Sequence, residues 1–418
     1  MKRWRPLALA SAVAGVLACP RPATRAPAPG VEPEIRVGLA VGVERVTLGG
    51  DGELFLTDDR NGALIGSIPA GLSWTAVTDT AGLRLERPDG LRSAVYRGVS
   101  AVNVSEGRFA IALGRRYRGR IGVFRDARGL TLVNRVQLES YVAGVAGAEM
   151  GTRRTGEEEA LRAQVVVSRS FALKHRGRWE ALGFDVYGDI RDQVYGGVAS
   201  ESPLVWDAVR ATTAEVLQYR GAIIDAFFHS TCGYQTAAAE EVFGTTRPVP
   251  YLRPVSDARG AGEKGERYYC DISPRFRWRE QWDATQLRTI LSQTLPAVTA
   301  VSGDGLQPIA DVEVRGTTGS GRVAELLIRF ARGEVRIKGS DVRQVLRPTP
   351  DRYLGSAAFQ LHVTKRGGEV TQLVAAGAGW GHGVGMCQWG AVGRSRAGQA
   401  YRKILGTYFP GTTIEKLY

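Results

Sequence analysis

Three stretches of this 418-residue chain hold side chains that could do chemistry. The first carries a carboxylate, Glu149, at the end of the apolar run Val145-Ala146-Gly147-Ala148 and just ahead of a second segment, Glu159 to Leu173. A carboxylate set there can be kept partly out of water and protonated near neutral pH, which is what a general acid needs. The second stretch is His229-Ser230-Thr231-Cys232-Gly233, with Cys270 downstream. His229, Cys232 and Cys270 could supply three ligands to zinc, leaving a fourth position open. The separation of Cys232 and Cys270 suits a disulfide in an oxidising compartment equally well, and unpaired thiols are the third alternative. The third stretch is Gly377-Ala378-Gly379-Trp380-Gly381-His382-Gly383-Val384-Gly385-Met386-Cys387-Gln388-Trp389-Gly390-Ala391. So many glycines allow a backbone to press against a ligand. Trp380 and Trp389 can stack on the apolar faces of sugar rings, while His382 and Gln388 can bond hydroxyls; a tight structural loop packed on Trp is the plainer alternative. The acid chemistry requires no cofactor, and zinc is the metal these residues could take.

The elements that must position these groups follow from hydrophobic periodicity. Ile35, Val37, Leu39, Val41 and Val43 alternate with small or polar residues, a strand signature, and similar runs continue to Val123-Phe124 between turn signals such as Asn61-Gly62 and Asp89-Gly90. Near Glu139 the pattern turns helical and predicts one helix to Met150. Thr155 with Glu158 fits a capping box for a second helix running to Arg176. A loop over Phe184–Tyr195, a helix over Pro203–Thr213, strands over Glu215–Phe228 and a helix over Thr285–Ser292 follow. The fold class expected is α+β. A β-rich N-terminal region (35–125) precedes a mixed helix/strand catalytic region (126–285), a further β-rich segment (286–375) and a Gly/Trp loop with a C-terminal helix (376–418).

Residues 1–19 read as an export signal: Lys2, Arg3 and Arg5 form a basic start, and Leu7 through Leu17 an apolar run too short to span a bilayer. Cys19 after Val16-Leu17-Ala18 is close to a lipobox, so the chain is expected to be an exported lipoprotein, membrane-anchored or periplasmic, on a Pro/Ala tether (20–34). Four cysteines in such a length exclude a disulfide scaffold. The net charge of +13, mostly scattered Arg, suits a partner bearing carboxylates or an anionic membrane face, or is plain solvated surface. Nucleic acid is excluded by the absence of a concentrated basic run in an exported chain.

The motifs resemble those of the stage II sporulation protein D/LytB family of cell-wall proteins. Asn134, Leu138-Glu139, Tyr141, Gly144-Val145 and Glu149-Met150 match its first block, and Ala160-Leu161, Ala163-Gln164 and Arg169 its second, with Gly151 where Pro is usual. The His229 to Gly233 run, then Thr236, matches a third motif, except that Tyr234 replaces a Gly; Tyr251-Leu252-Arg253-x-Val255-x-Asp257 and Ser273-Pro274-x-Phe276-Arg277-Trp278 extend it. The Gly/Trp run matches the family signature, with Cys387 where Ser is usual. The resemblance implies that Glu149 is the catalytic acid of a peptidoglycan lytic transglycosylase acting on peptide-stripped glycan strands. It also implies that His229, Thr231, Gln193, Tyr195, Trp380, His382, Gln388 and Trp389 line the glycan groove. Some members bind zinc near the His/Cys motif. The LytB branch implies the alternative of a non-catalytic enhancer partnered with a cell-wall amidase. Asp192, Glu240, Glu241 and Asp257 are available as electrostatic helpers.

Overall fold

The computed structural model describes residues 30–262, 265–299 and 308–418. The export signal, Cys19 and most of the tether lie outside the described residues. The protein is α+β and divides into two compact units. One takes residues 30–226 with 398–402 and 412–418; the other takes 227–397 with 403–411. The boundary at 226 falls inside the span read above as one catalytic core.

In the first unit the alternating runs become two sheets. A seven-stranded sheet runs in the order Val186–Tyr187, Glu34–Val43, Gly129–Gln137, Arg120–Asp126, Gly98–Asn103, Leu54–Asp58, Leu64–Ile68. A five-stranded sheet holds Gly82–Glu86, Ser73–Asp79, Arg45–Gly50, Ala110–Ala112 and Arg115–Tyr117. Register follows the pattern: Ile35 and Val37, both buried, lie opposite Val136 and Asn134 on the antiparallel neighbour. Three helices follow: α1 (Leu138–Met150) leaves strand Gly129–Gln137 without a loop, then α2 (Glu158–Lys174) and α3 (Pro203–Ala211). Ser202 caps α3, accepting from Val205 N–H, with Pro203 in the first turn. The capping box expected at Thr155 does not form. Gly156, at φ +89°, turns the chain so that α2 begins after Glu157, whose carboxylate instead accepts from Arg154 N–H.

The second unit carries two three-stranded sheets, Arg277–Asp283 with Glu369–Ala378 and Phe359–Arg366, and Ile309–Thr317 with Val323–Phe330 and Gly333–Lys338. Trp282, Leu287, Leu291, Leu326, Ile328, Ile337 and Leu373 fill the core they share. Helices α4 (Ala239–Phe243), α5 (Ala284–Thr294) and α6 (Val342–Val345) sit among these strands; α7 (Gln388–Arg396) and α8 (Tyr401–Tyr408) follow toward the C-terminus. α5 starts on a formed capping box, with the Asp283 carboxylate accepting from Gln286 N–H and the Gln286 side chain accepting from Asp283 N–H. Among the described residues no helix is long and apolar enough to cross a membrane.

Candidate functional site

Glu149 stands in the last turn of α1, half-buried. The two glycines before it explain how a loop reaches it. A Cβ at Gly144 would strike the Tyr195 ring, and one at Gly147 would strike the Ser200 carbonyl, so only glycine lets the 193–200 segment lie against this helix face. Gly196 N–H then donates to Gly144 O (3.2 Å), and Val194 N–H donates to Glu149 Oε1 (2.9 Å). The backbone amide orients the carboxyl.

The side chains beside that contact are packed rather than exposed. Gln193 and Tyr195, expected on the groove, are buried. Tyr141 Oη donates to Gln193 Oε1 (3.0 Å), and Tyr195 Oη donates to Asn134 Oδ1 (2.9 Å). Asn134 in turn donates to the carbonyls of Arg118 and Arg120, and the Tyr195 ring lies 5.2 Å from that of Tyr141. Both residues therefore hold the loop that touches Glu149, because a buried polar side chain must find partners inside the fold. Asp192 is likewise fastened: it accepts from Trp179 Nε1 (2.7 Å), Tyr187 N–H (2.8 Å) and Arg178 Nη1 (2.9 Å). Burial raises its pKa against those donors. Its place is loop anchorage.

Glu139 and Arg169, read only as motif letters, form a buried pair joining α1 to α2. Arg169 Nε donates to Glu139 Oε1 (3.0 Å), Nη2 to Oε2 (2.6 Å) and Nη1 to the Glu215 carbonyl (2.9 Å). Two charged letters thirty residues apart on adjacent predicted helices were the signal that could have found it.

The other candidates belong to the second unit. Strand Phe228–His229 runs parallel to Met386–Cys387, and Thr231 bridges Trp380. This brings His229, Thr231, Trp380, His382, Gln388 and Trp389 together. Gly379, at φ +80°, permits it, since a Cβ there would meet the Thr231 carbonyl. Trp380, His382 and Trp389 keep exposed area, and the Arg275 guanidinium lies 4.5 Å over the Trp380 ring. His229, Thr231 and Gln388, expected to touch ligand, are instead buried. Thr231 shares a hydrogen bond with Ser273 (2.8 Å between oxygens), and His229 Nδ1 lies 3.1 Å from the Val384 carbonyl, which can only accept, so Nδ1 carries the proton. His382 keeps some exposure yet is ringed by His229, Phe227 and Phe243. Loss of hydration, then the neighbouring His229 and Arg343, hold its pKa well below the usual value, so it is neutral. Its Nδ1 accepts from Val384 N–H (3.1 Å). Glu240 pairs with Arg253, and Glu241 accepts from Ser320.

The cysteines gather around a carboxylate. Cys232 and Cys270 are free thiols with their sulfurs 3.5 Å apart, and Cys387 and Asp257 join them, all four buried and mutually within 4.8 Å. His229 stands beside Cys387 rather than within the four. Cys387 was legible as a departure from the signature; Asp257 was read only as a possible helper. Burial raises the Asp257 pKa to about 6, with the charge of Cys387 acting the same way.

A family profile described as Stage II sporulation protein matches residues 126–219, and a domain of unknown function (DUF8618) matches 263–385. An uncharacterized protein of Brachyspira hyodysenteriae is 31% identical over 286 residues, 68% of either chain. The stage II sporulation protein D of Bacillus subtilis is 28% identical over 311 residues, 71% of this chain and 79% of that one. The amidase enhancer of the same organism is 27% identical over 277 residues, 61% of this chain but 38% of its own length. The first profile encloses α1, α2, Glu149 and the loop that reaches it, and with these relatives it makes the chain a member of the stage II sporulation protein D/LytB family.

Proposed function

We propose that this protein is an envelope-associated peptidoglycan lytic transglycosylase, acting on glycan strands stripped of their stem peptides and leaving 1,6-anhydro-muramic ends. The observation that carries the reading is Glu149, a half-buried carboxyl at the end of α1, oriented by the Val194 amide. In the reaction its protonated form gives the proton to the glycosidic oxygen as the anomeric C–O bond breaks. The resulting carboxylate takes the proton of the muramic C6 hydroxyl, whose oxygen closes on the anomeric carbon. Water is not consumed, so the two-carboxylate arrangement of ordinary glycosidases is not required. The net charge of +13 suits denuded strands, which keep their lactyl carboxylates. Anchorage through a lipid on Cys19 belongs to the same proposal.

Mass spectrometry of denuded strands incubated with the purified protein tests it. Anhydro-muramic products are expected from the wild type and none from Glu149→Gln, which keeps strand binding; cleavage that survives in Glu149→Gln overturns the assignment. The relative that is an amidase enhancer favours a second reading, in which the partly exposed Trp380 and Trp389 bind glycan and no bond is cut. Folded wild-type protein that binds strands, releases nothing and stimulates a cell-wall amidase would establish it.

A further inference from the structure

We propose that Cys232, Cys270, Cys387 and Asp257 form a closed zinc site that braces the Gly/Trp loop. The inference is independent of the reaction assigned to Glu149. Zinc held by thiolates at about 2.3 Å separates neighbouring ligand atoms by roughly 3.7 Å in a tetrahedron. The Cys232 and Cys270 sulfurs are already 3.5 Å apart, and the longest separation in the group is under 4.8 Å, so a small closure completes the site. A disulfide would use two of the three thiols and leave Cys387 and Asp257 outside the bond, whereas one tetrahedral ion takes all four.

The surroundings fit the metal as well as the ligands do. Zinc with three thiolates and a carboxylate carries two net negative charges, which a buried site must balance. Two buried guanidiniums are at hand. Arg394 bonds Asp257 Oδ1 (3.3 Å), and Arg322 donates to the Cys232 carbonyl (3.5 Å) while making no ion pair among the described residues. The ligands also brace one another through the backbone. Cys232 N–H donates to Cys387 Sγ (3.2 Å), Cys270 N–H to Asp257 Oδ2 (2.9 Å), and Gly390 N–H, in the first turn of α7, to Cys387 Sγ (3.2 Å). Tyr408 Oη donates to Asp257 Oδ1 (2.7 Å), the kind of outer contact that orients a metal ligand. Four protein ligands with no exposed position make the site structural rather than catalytic. Cys387 opens α7, a few residues past Trp380 and His382, so the ion would fix the loop that carries them. A Ser at 387, as in the family signature, would not supply this thiolate.

The test is metal content, with cobalt as a spectroscopic substitute, on the full soluble protein purified under reducing conditions. The expected result is one zinc per chain. Cobalt in its place should give the intense visible bands of a tetrahedral ion and sulfur-to-metal charge transfer for three thiolates. Cys387→Ser should show one thiolate fewer and lose more zinc affinity than the roughly 10–100-fold that removing an outer partner costs. If that variant does not fold, the wild-type zinc content and cobalt spectrum decide alone. Folded, reduced wild-type protein that takes up no zinc overturns the proposal. So does a Cys232–Cys270 disulfide, mapped by mass spectrometry in protein isolated without reductant.

Discussion

Replacing Arg169 with Met should be among the most destabilising single changes available in the first unit. Arg169 is fully enclosed, and its guanidinium makes three hydrogen bonds: two to Glu139 and one to the Glu215 carbonyl. Met conserves much of the packing volume, so the loss is electrostatic. Glu139 keeps the Ala214 N–H (3.1 Å) and the Tyr418 hydroxyl, but among the described residues its charge has no other ion-pair partner. Removing one member of a buried ion pair costs about 3–5 kcal/mol, and the stranded Glu215 carbonyl adds about 1 kcal/mol or more. A total near 4–6 kcal/mol follows, against a stability of about 5–15 kcal/mol for a typical domain. Urea unfolding followed by circular dichroism measures it. The double variant Arg169→Met with Glu139→Gln should recover a large part of the loss, since no unpaired charge is then buried. A single-variant loss below about 1 kcal/mol, the range of exposed pairs, would refute the reasoning and mean that water reaches Glu139.

Two further outcomes follow from the same geometry. Gly147→Ala ought to gain about 1 kcal/mol in helix propensity, but its methyl collides with the Ser200 carbonyl and must push the loop off α1, at a cost of about 1–3 kcal/mol. A lower melting temperature and faster hydrogen exchange at Val194 are expected; a higher melting temperature would show that the loop yields freely. His382→Gln should flatten the acid limb of stability. The histidine's folded pKa is depressed, so the stability it supports is fully present above about pH 6.5 and is lost as pH falls, by up to about 1.4 kcal/mol per pH unit. The difference between wild type and His382→Gln isolates the histidine, and identical profiles would mean that it protonates in the fold.

How far the sequence could be read depends on where the determining contacts lie. α1 and α2 were legible because their signal is local: apolar spacing between Gly-rich breaks. Start signals were less secure, as two boxes show. Thr155 and Glu158 have the spelling but no box, because Gly156 turns the chain and α2 starts later; Asp283 and Gln286 form one that the spacing of α5 alone did not announce. Gly144 and Gly147 looked like ordinary members of an apolar run, yet each marks where the 193–200 loop presses on the helix. That contact turned Gln193 and Tyr195 from expected ligand groups into buried supports. The cysteines make the same point at longer range. Cys232 and Cys270 invited a pairing because their spacing is visible along the chain, whereas Cys387 lies 155 residues beyond Cys232 and is brought to it by the parallel strand pair and the Thr231–Trp380 bridge. A residue type identifies what a group can do, but the identity of its partners is fixed by whichever backbone glycine allows to come near. That is why the motif letters marked neighbourhoods, while the burial and partners of Gln193, Tyr195, His229 and Thr231 became visible only in the fold.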